Sequence, residues 1–130
     1  MILLGIDFGL KKIGLALAQN GLIQPLGVVR NSPRVFNEIV EICKKNEVKK
    51  IVIGLTPGLL SSKIKEFSRR LSLDLSLPVE FQDETLTSKQ AIAKMVEEGI
   101  KKKKRRKLED AAAAACILKE YLLRKEVESV

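Results

Sequence analysis

The chain opens on six apolar residues, Met1-Ile2-Leu3-Leu4-Gly5-Ile6, and ends that run with a carboxylate, Asp7. No polar residue interrupts the run to mark a solvent face, so it reads as a fully buried strand. The turn that follows, Phe8-Gly9-Leu10-Lys11-Lys12, sets two lysines opposite the acid. A carboxylate in that setting is unfavourable in a core but well suited to a metal or phosphate site. Two further acidic positions have similar settings: Asp83-Glu84, after the apolar run Pro78-Val79-Glu80-Phe81, and Asp110, which opens an alanine-rich helix. Three scattered carboxylates make a candidate metal site.

Periodicity and punctuation organise the rest of the 130 residues into one domain, large enough to bury a core without staples. Strands are expected at residues 2–7, 13–18 and near 24–29, the last two joined by the short-loop signal Asn20-Gly21. Ser32-Pro33 reads as cap and first position of a helix with Val35, Phe36, Ile39, Val40 and Cys43 on one face. Ile51–Leu55 is the next buried strand. Ser61 or Ser62 then caps a helix carrying Ile64, Phe67 and Leu71, and Val79–Phe81 is an edge strand. Thr87-Ser88-Lys89-Gln90 forms a capping box for a helix ending at Gly99, and a last helix is expected from about Leu108 to Lys125. The order βββαβαβαα predicts an antiparallel meander followed by parallel strands, because helical crossovers join strands one, four and five. The carboxyl ends of those strands share one sheet edge, where ligands of open α/β sheets collect, and Asp7 and Asp83-Glu84 fall on it. Asp110 joins them if the last helix crosses the sheet with its first turn at that edge. The small residues Ala111–Ala115 permit such an approach, although helix propensity alone also accounts for them.

The absence of histidine removes Ser-His-Asp and Cys-His nucleophiles, zincins and Cys/His fingers. Chemistry must then run on carboxylates, lysine, hydroxyls or a bound cation, and hard oxygen ligands select magnesium or manganese. Cys43 and Cys116 lie in helical apolar patterns without CxxC spacing and read as buried thiols of a cytosolic protein. Neither a signal peptide nor a stretch of membrane-spanning length is expected.

Lys101, Lys102, Lys103, Lys104, Arg105, Arg106 and Lys107 contribute seven of the eight net positive charges. Such a run without context reads as a solvated linker. Beside a candidate acidic site it reads as a flexible arm supplying cations to a polyanion that the carboxylates alone would repel, which makes nucleic acid the expected partner.

Taken together, Gly5-Ile6-Asp7-Phe8-Gly9-Leu10-Lys11-Lys12-Ile13-Gly14-Leu15-Ala16, Gln24-Pro25-Leu26, Val79-Glu80-Phe81-Gln82-Asp83-Glu84-Thr85-Leu86-Thr87 and Glu109-Asp110-Ala111-Ala112-Ala113-Ala114 resemble the YqgF family, also called RuvX, of bacterial ribonuclease H-like proteins. The likeness covers essentially the whole chain. It implies a five-stranded mixed sheet of order 3-2-1-4-5 with strand two antiparallel, flanked by helices. It also implies three metal-binding, catalytic acids, carried over as Asp7, Glu84 and Asp110. Four positions depart from the family pattern: Thr85 stands for an arginine, Leu10 for a threonine, Gln19-Asn20 lacks an acid, and Thr56 is inserted in a Gly-Leu-Pro stretch.

The resemblance implies a nuclease that processes the 5′ end of pre-16S ribosomal RNA. The alternatives are a Holliday junction resolvase and a non-catalytic RNA-binding assembly factor. Two magnesium or manganese ions roughly 3.5–4 Å apart would serve such chemistry, with Asp7 bridging them and Lys11 and Lys12 contacting phosphate. Asp83 reads as a turn residue. No helix face is left over for a dimer, so a monomer in the cytoplasm acting on precursor ribosomal RNA is expected, branched DNA being the alternative substrate. The first turn also resembles the phosphate loop of actin-like ATPases, but 130 residues leave no room for their second lobe.

Overall fold

The computed structural model describes residues 1–83 and 102–128, with side chains described through residue 83 and from 111 to 126. In chain order the elements are β1 (Ile2–Asp7), β2 (Lys12–Gln19), β3 (Leu22–Arg30), α1 (Val35–Lys45), β4 (Lys50–Leu55), α2 (Ser61–Leu75), β5 (Val79–Asp83) and α3 (Lys102–Glu128). The strands form one sheet in the order β3-β2-β1-β4-β5. β1, β2 and β3 pair antiparallel, while β4 pairs parallel with both β1 and β5. This is the expected meander and crossover arrangement. The helix expected over 87–99 lies outside the described residues.

Asn20 (φ 52°) and Gly21 (φ 82°) turn the chain between Gln19 and Leu22, which face each other in register. Both central residues at positive φ are what a two-residue hairpin following the strand twist demands, and Asn-Gly tolerates it best. β3 lies at the sheet edge and carries Pro25, which offers no N–H to a further strand.

Alternation along the strands sorts two cores. On one face Leu4, Ile6, Ile13, Leu15, Ile51 and Ile53 meet Val35, Ile39 and Cys43 of α1 and Ile64, Phe67 and Leu71 of α2. Burial pushes the Cys43 thiol up from 9.0 to about 11, leaving it unreactive at neutral pH. On the other face Leu3, Ala16, Ala18 and Val52 meet Ala114, Ile117, Leu118 and Tyr121 of α3. Cys116, expected to be buried, is only half-buried, because the buried stripe of α3 runs through its neighbours instead.

The helix starts differ from expectation. Ser32 does not cap α1: its Oγ accepts from Arg34 N–H at 3.3 Å, and its carbonyl accepts from Val35 N–H at 3.0 Å, forming a turn that precedes the helix. Ser61 likewise lies inside α2, whose cap position is Leu60 with no side-chain cap. At α2 a backbone bond, Ser61 N–H to the Gly58 carbonyl at 3.1 Å, forms the turn before the helix, whereas at α1 the Ser32 hydroxyl and carbonyl both serve the turn that precedes it. α3 begins at Lys102 rather than Leu108 and runs to Glu128.

Candidate functional site at the carboxyl edge of the sheet

Asp7 is the last residue of β1 and is 8% exposed. Strand alternation sets it on the α3 face with Leu3 and Gly5, and Gly14 of β2 lies opposite it without a side chain to crowd it. The turn after it is tight at Gly9, where a Cβ would run into the Lys12 carbonyl. The Asn31 Nδ2 amide donates to the Gly9 carbonyl at 2.8 Å, and the Asn31 backbone N–H donates to the Lys11 carbonyl at 2.9 Å. This turn is thereby tied to the end of β3, with Lys11 and Lys12 exposed at its rim.

Two strands away, β5 ends level with β1. Ile6 registers with Ile53, and Leu55 with Asp83, so Asp7 and the end of β5 flank β4 at about 10 Å backbone separation. Asp83, expected to be a turn residue, is instead the final residue of β5 and is exposed, because parallel pairing with β4 continues to Leu55. Glu84 follows it directly and lies outside the described residues.

The third element is α3. A Cβ on Gly5 would meet Leu118 Cγ at 2.5 Å and the Ala114 carbonyl oxygen at 2.9 Å, so only glycine allows the helix this close to β1. From there α3 descends toward the start of β4, where the Tyr121 hydroxyl accepts from Lys50 Nζ at 3.2 Å; Lys50 registers with Leu3. Going from Ala114 back toward the start of α3 therefore leads up β1 toward Asp7. Asp110 is one turn before Ala114 in the helix backbone, and the turn containing it belongs to the edge where Asp7 stands. Its side chain is outside the description. The fully buried Ala111, Ala113 and Ala114 show that the alanine run serves close packing as well as propensity.

Of the acids singled out in the sequence, the fold thus carries the backbone of Asp7, the residue preceding Glu84, and the helical turn of Asp110 to one edge. Among the described residues alone, no group of three Asp, Glu, Cys or His side chains gathers. Lys102, Lys103, Lys104, Arg105, Arg106 and Lys107 form the first turns of α3, so the expected flexible arm is helical backbone over those residues; Lys101 lies outside the description. Helix propensity of lysine and arginine supports this extension once the alanine segment has nucleated the helix.

One constellation was not expected from the sequence. Lys50 Nζ donates to Glu80 Oε1 at 3.3 Å, Lys125 Nζ lies 3.6 Å from Glu80 Oε2, and Arg124 Nε donates to Gln82 Oε1 at 2.9 Å. Lys50, Arg124 and Lys125 surround the Tyr121 ring, with cation-to-centroid distances of 5.8, 5.4 and 5.6 Å. A hydrogen bond with Tyr121, aided by Lys50 and Lys125 against desolvation, holds the Glu80 carboxyl below its usual range. The hydrogen bond with Tyr121, and then that with Glu80, raises Lys50. The cluster clips α3 to β4 and β5 and so sets the lateral position of the strand that leads into Glu84. The signal for it in the sequence was Glu80 and Gln82, polar residues alternating with Val79 and Phe81 and so sharing one face of β5.

A family model described as RuvX, Holliday junction resolvase, matches residues 1–124. A relative from Syntrophus aciditrophicus is 40% identical over 132 residues, covering 94% of this chain and 88% of its own length; one from Syntrophomonas wolfei is 33% identical over 136 residues, covering 94% of each. Both carry the provisional name of pre-16S rRNA nuclease. Among solved structures, Thermus thermophilus RuvC in complex with a Holliday junction substrate superposes with a TM-score of 0.62 at 24% identity, covering 95% of this chain and 96% of its own. The fowlpox virus Holliday junction resolvase superposes with a TM-score of 0.62 at 16% identity, covering 95% and 99%. At those identities the likeness is one of fold.

Proposed function

The chain belongs to the RuvX family, and from that premise we propose that it is a divalent-metal-dependent nuclease that processes the 5′ end of pre-16S ribosomal RNA in the cytoplasm. The observation that carries this reading is Asp7, a nearly buried carboxylate on the last residue of the central strand, at the edge where β5 also ends. It occurs in a chain whose relatives bear a pre-16S rRNA nuclease name. No helix among the described residues is long and apolar enough to cross a membrane.

The donor chemistry fits a hard cation. Asp7 offers oxygen from a rigid strand, Glu84 and Asp110 are the acids that the family resemblance pairs with it, and the chain has no histidine to compete for a softer metal. Asp7, Glu84 and Asp110 would hold magnesium or manganese, which when bound activates water and stabilises the leaving oxygen of a phosphodiester. The remaining work belongs to the protein. The β1 strand holds Asp7 by burial, by its pairing with Gly14 of β2 and by the β4 ladder that runs up to Ile6. Lys11 and Lys12 give the exposed turn beside it two cations for substrate phosphates. The Lys101–Lys107 run adds seven more in sequence and offsets the repulsion between an anionic substrate and the acids.

A junction-resolving reading stands beside this one because the family's description names that activity. The test incubates the purified protein and magnesium or manganese with a precursor RNA spanning the 16S 5′ end and with a four-way DNA junction, while its mass is followed by ultracentrifugation. Cleavage of the RNA flank by a monomer is the expected result. Paired symmetric nicks in the junction by a dimer, with the RNA left intact, would transfer the function to resolution. Binding of RNA with no cleavage of either substrate would make the protein a non-catalytic assembly factor.

A further inference from the structure

On the sheet face away from α3, a cleft of about 340 Å³ opens between α1 and α2, lined by Phe8, Asn31, Phe36, Phe67, Lys63 and Arg70, with Arg69, Glu66 and Leu73 at its margin. Its floor is aromatic: the Phe67 ring lies 5.1 Å from Phe8 and 5.2 Å from Phe36, centroid to centroid, in tilted contacts. Its rim is cationic. The Arg70 guanidinium sits 4.0 Å from the centroid of Phe36, and Lys63, Arg69 and Arg70, all exposed, outnumber the single acid Glu66. Among the described residues no carboxylate pairs with any of these three cations.

Exposed cations around partly exposed aromatic rings, in a space the size of one nucleoside, are the elements of a platform for unpaired bases. An acidic peptide would use the cations but not the rings, whereas an unpaired nucleotide uses both. The cleft also adjoins the catalytic edge. Phe8 follows Asp7 directly and packs toward α1 and α2 while Asp7 faces α3, and Asn31, on the cleft wall, is bonded to the turn bearing Lys11 and Lys12. A strand crossing the edge from one side to the other would pass all of these groups.

We infer that this cleft docks an unpaired nucleotide of the strand being cut, its base against the partly exposed Phe8 and Phe36 side and its phosphate on Lys63 and Arg70. The inference rests on the nuclease reading and names its substrate class, a polynucleotide with a single-stranded flank.

The test uses Asp7→Asn protein, so that binding is read without turnover, and a single-stranded RNA carrying 2-aminopurine, whose fluorescence falls on stacking. The expected result is quenching and tighter binding of single strand than of duplex. Lys63→Ala/Arg70→Ala should weaken binding several-fold and flatten the salt dependence of log K by about 0.7 for each phosphate no longer neutralised. Phe36→Leu, which keeps an apolar residue in place, should reduce the quench. With Asp7 present, Lys63→Ala/Arg70→Ala should raise KM on flanked precursor more than it lowers kcat. If wild type cuts RNA but the double variant matches it in affinity, salt slope and KM, or if duplex binds better than single strand, the cleft inference alone falls. If wild type cuts neither RNA nor DNA, the nuclease reading falls and takes the inference with it.

Discussion

The two faces of the sheet bury their residues by different means. Toward α1 and α2 the strands present large aliphatic side chains, Leu4, Ile6, Ile13, Leu15, Ile51 and Ile53, which interdigitate with the helical stripes. Toward α3 they present Gly5, Gly14, Ala16 and Ala18 beside Leu3 and Val52, and the helix answers with Ala111, Ala113 and Ala114 ahead of Ile117, Leu118 and Tyr121. A core of branched side chains gains stability from area removed from water and keeps its helices at arm's length. A core of small residues gains less from area, but it brings a helix backbone almost into contact with the sheet. The second arrangement is found on the face where Asp7 stands, beside the helix that carries Asp110. The two faces divide the labour: the large-residue face supplies most of the large buried side chains, and the small-residue face brings α3 against the strand that ends in Asp7.

That division can be broken from the stabilising side first. Ile53→Ala removes a fully buried side chain from the large-residue face and is expected to lower unfolding free energy by about 2–5 kcal/mol, read by urea denaturation. Activity per folded molecule should stay close to wild type. A loss of kcat at temperatures where the variant is fully folded would show that both faces position the site.

Gly5→Ala attacks the other face. The added methyl would meet Leu118 Cγ and the Ala114 carbonyl oxygen, and since the second of these is backbone, α3 must move. The expected destabilisation is smaller, about 1–3 kcal/mol, but the loss of activity should exceed what the unfolded fraction explains. Equal scaling of activity and stability in the two variants would erase the distinction.

A weaker and pH-dependent probe is Glu80→Gln, in the cluster that clips α3 to β4 and β5. Glu80 is held below its ordinary 4.5, so its contribution is complete above that pH and disappears as pH falls through the folded value. Lys50 is raised above 10.5, so its contribution is present below that pH and is lost as pH rises through its folded value. The variant should therefore be less stable than wild type by at most about 1 kcal/mol near neutrality, since the pair is partly exposed. Its denaturation curve should merge with that of wild type under acid conditions. A difference that persists in acid would mean that Glu80 acts through packing.

How much of this was legible in the sequence follows the same divide. Buried strands and helical stripes are written in periodicity, so β1, β4, α1 and α2 were readable, as was Asp7 from its place after an apolar run; the full sheet order came from the family resemblance. Alanine and glycine carry no such signature: Ala111–Ala115 read equally as propensity or close packing, and the contact of Gly5 with Ala114 and Leu118 chose between them. Lys102–Lys107 read as a flexible arm because charge obscures helix propensity; the structure extends α3 through them. The cluster around Tyr121 joins α3 to Lys50 and Glu80, and the α1–α2 cleft joins Phe8 to Phe36 and Arg70, segments more than twenty positions apart whose meeting no local pattern reports.

The central claim is that the Asp7 carboxylate at this edge serves phosphodiester hydrolysis. Its most direct test is Asp7→Asn, which preserves shape and removes charge, assayed on precursor RNA with magnesium or manganese and checked by circular dichroism. Metal-assisted stabilisation amounts to several kcal/mol, and each ~1.4 kcal/mol is tenfold in rate, so cleavage should fall on the order of a thousandfold or more with the fold unchanged. A folded Asp7→Asn protein that cleaves at near the wild-type rate would contradict the account.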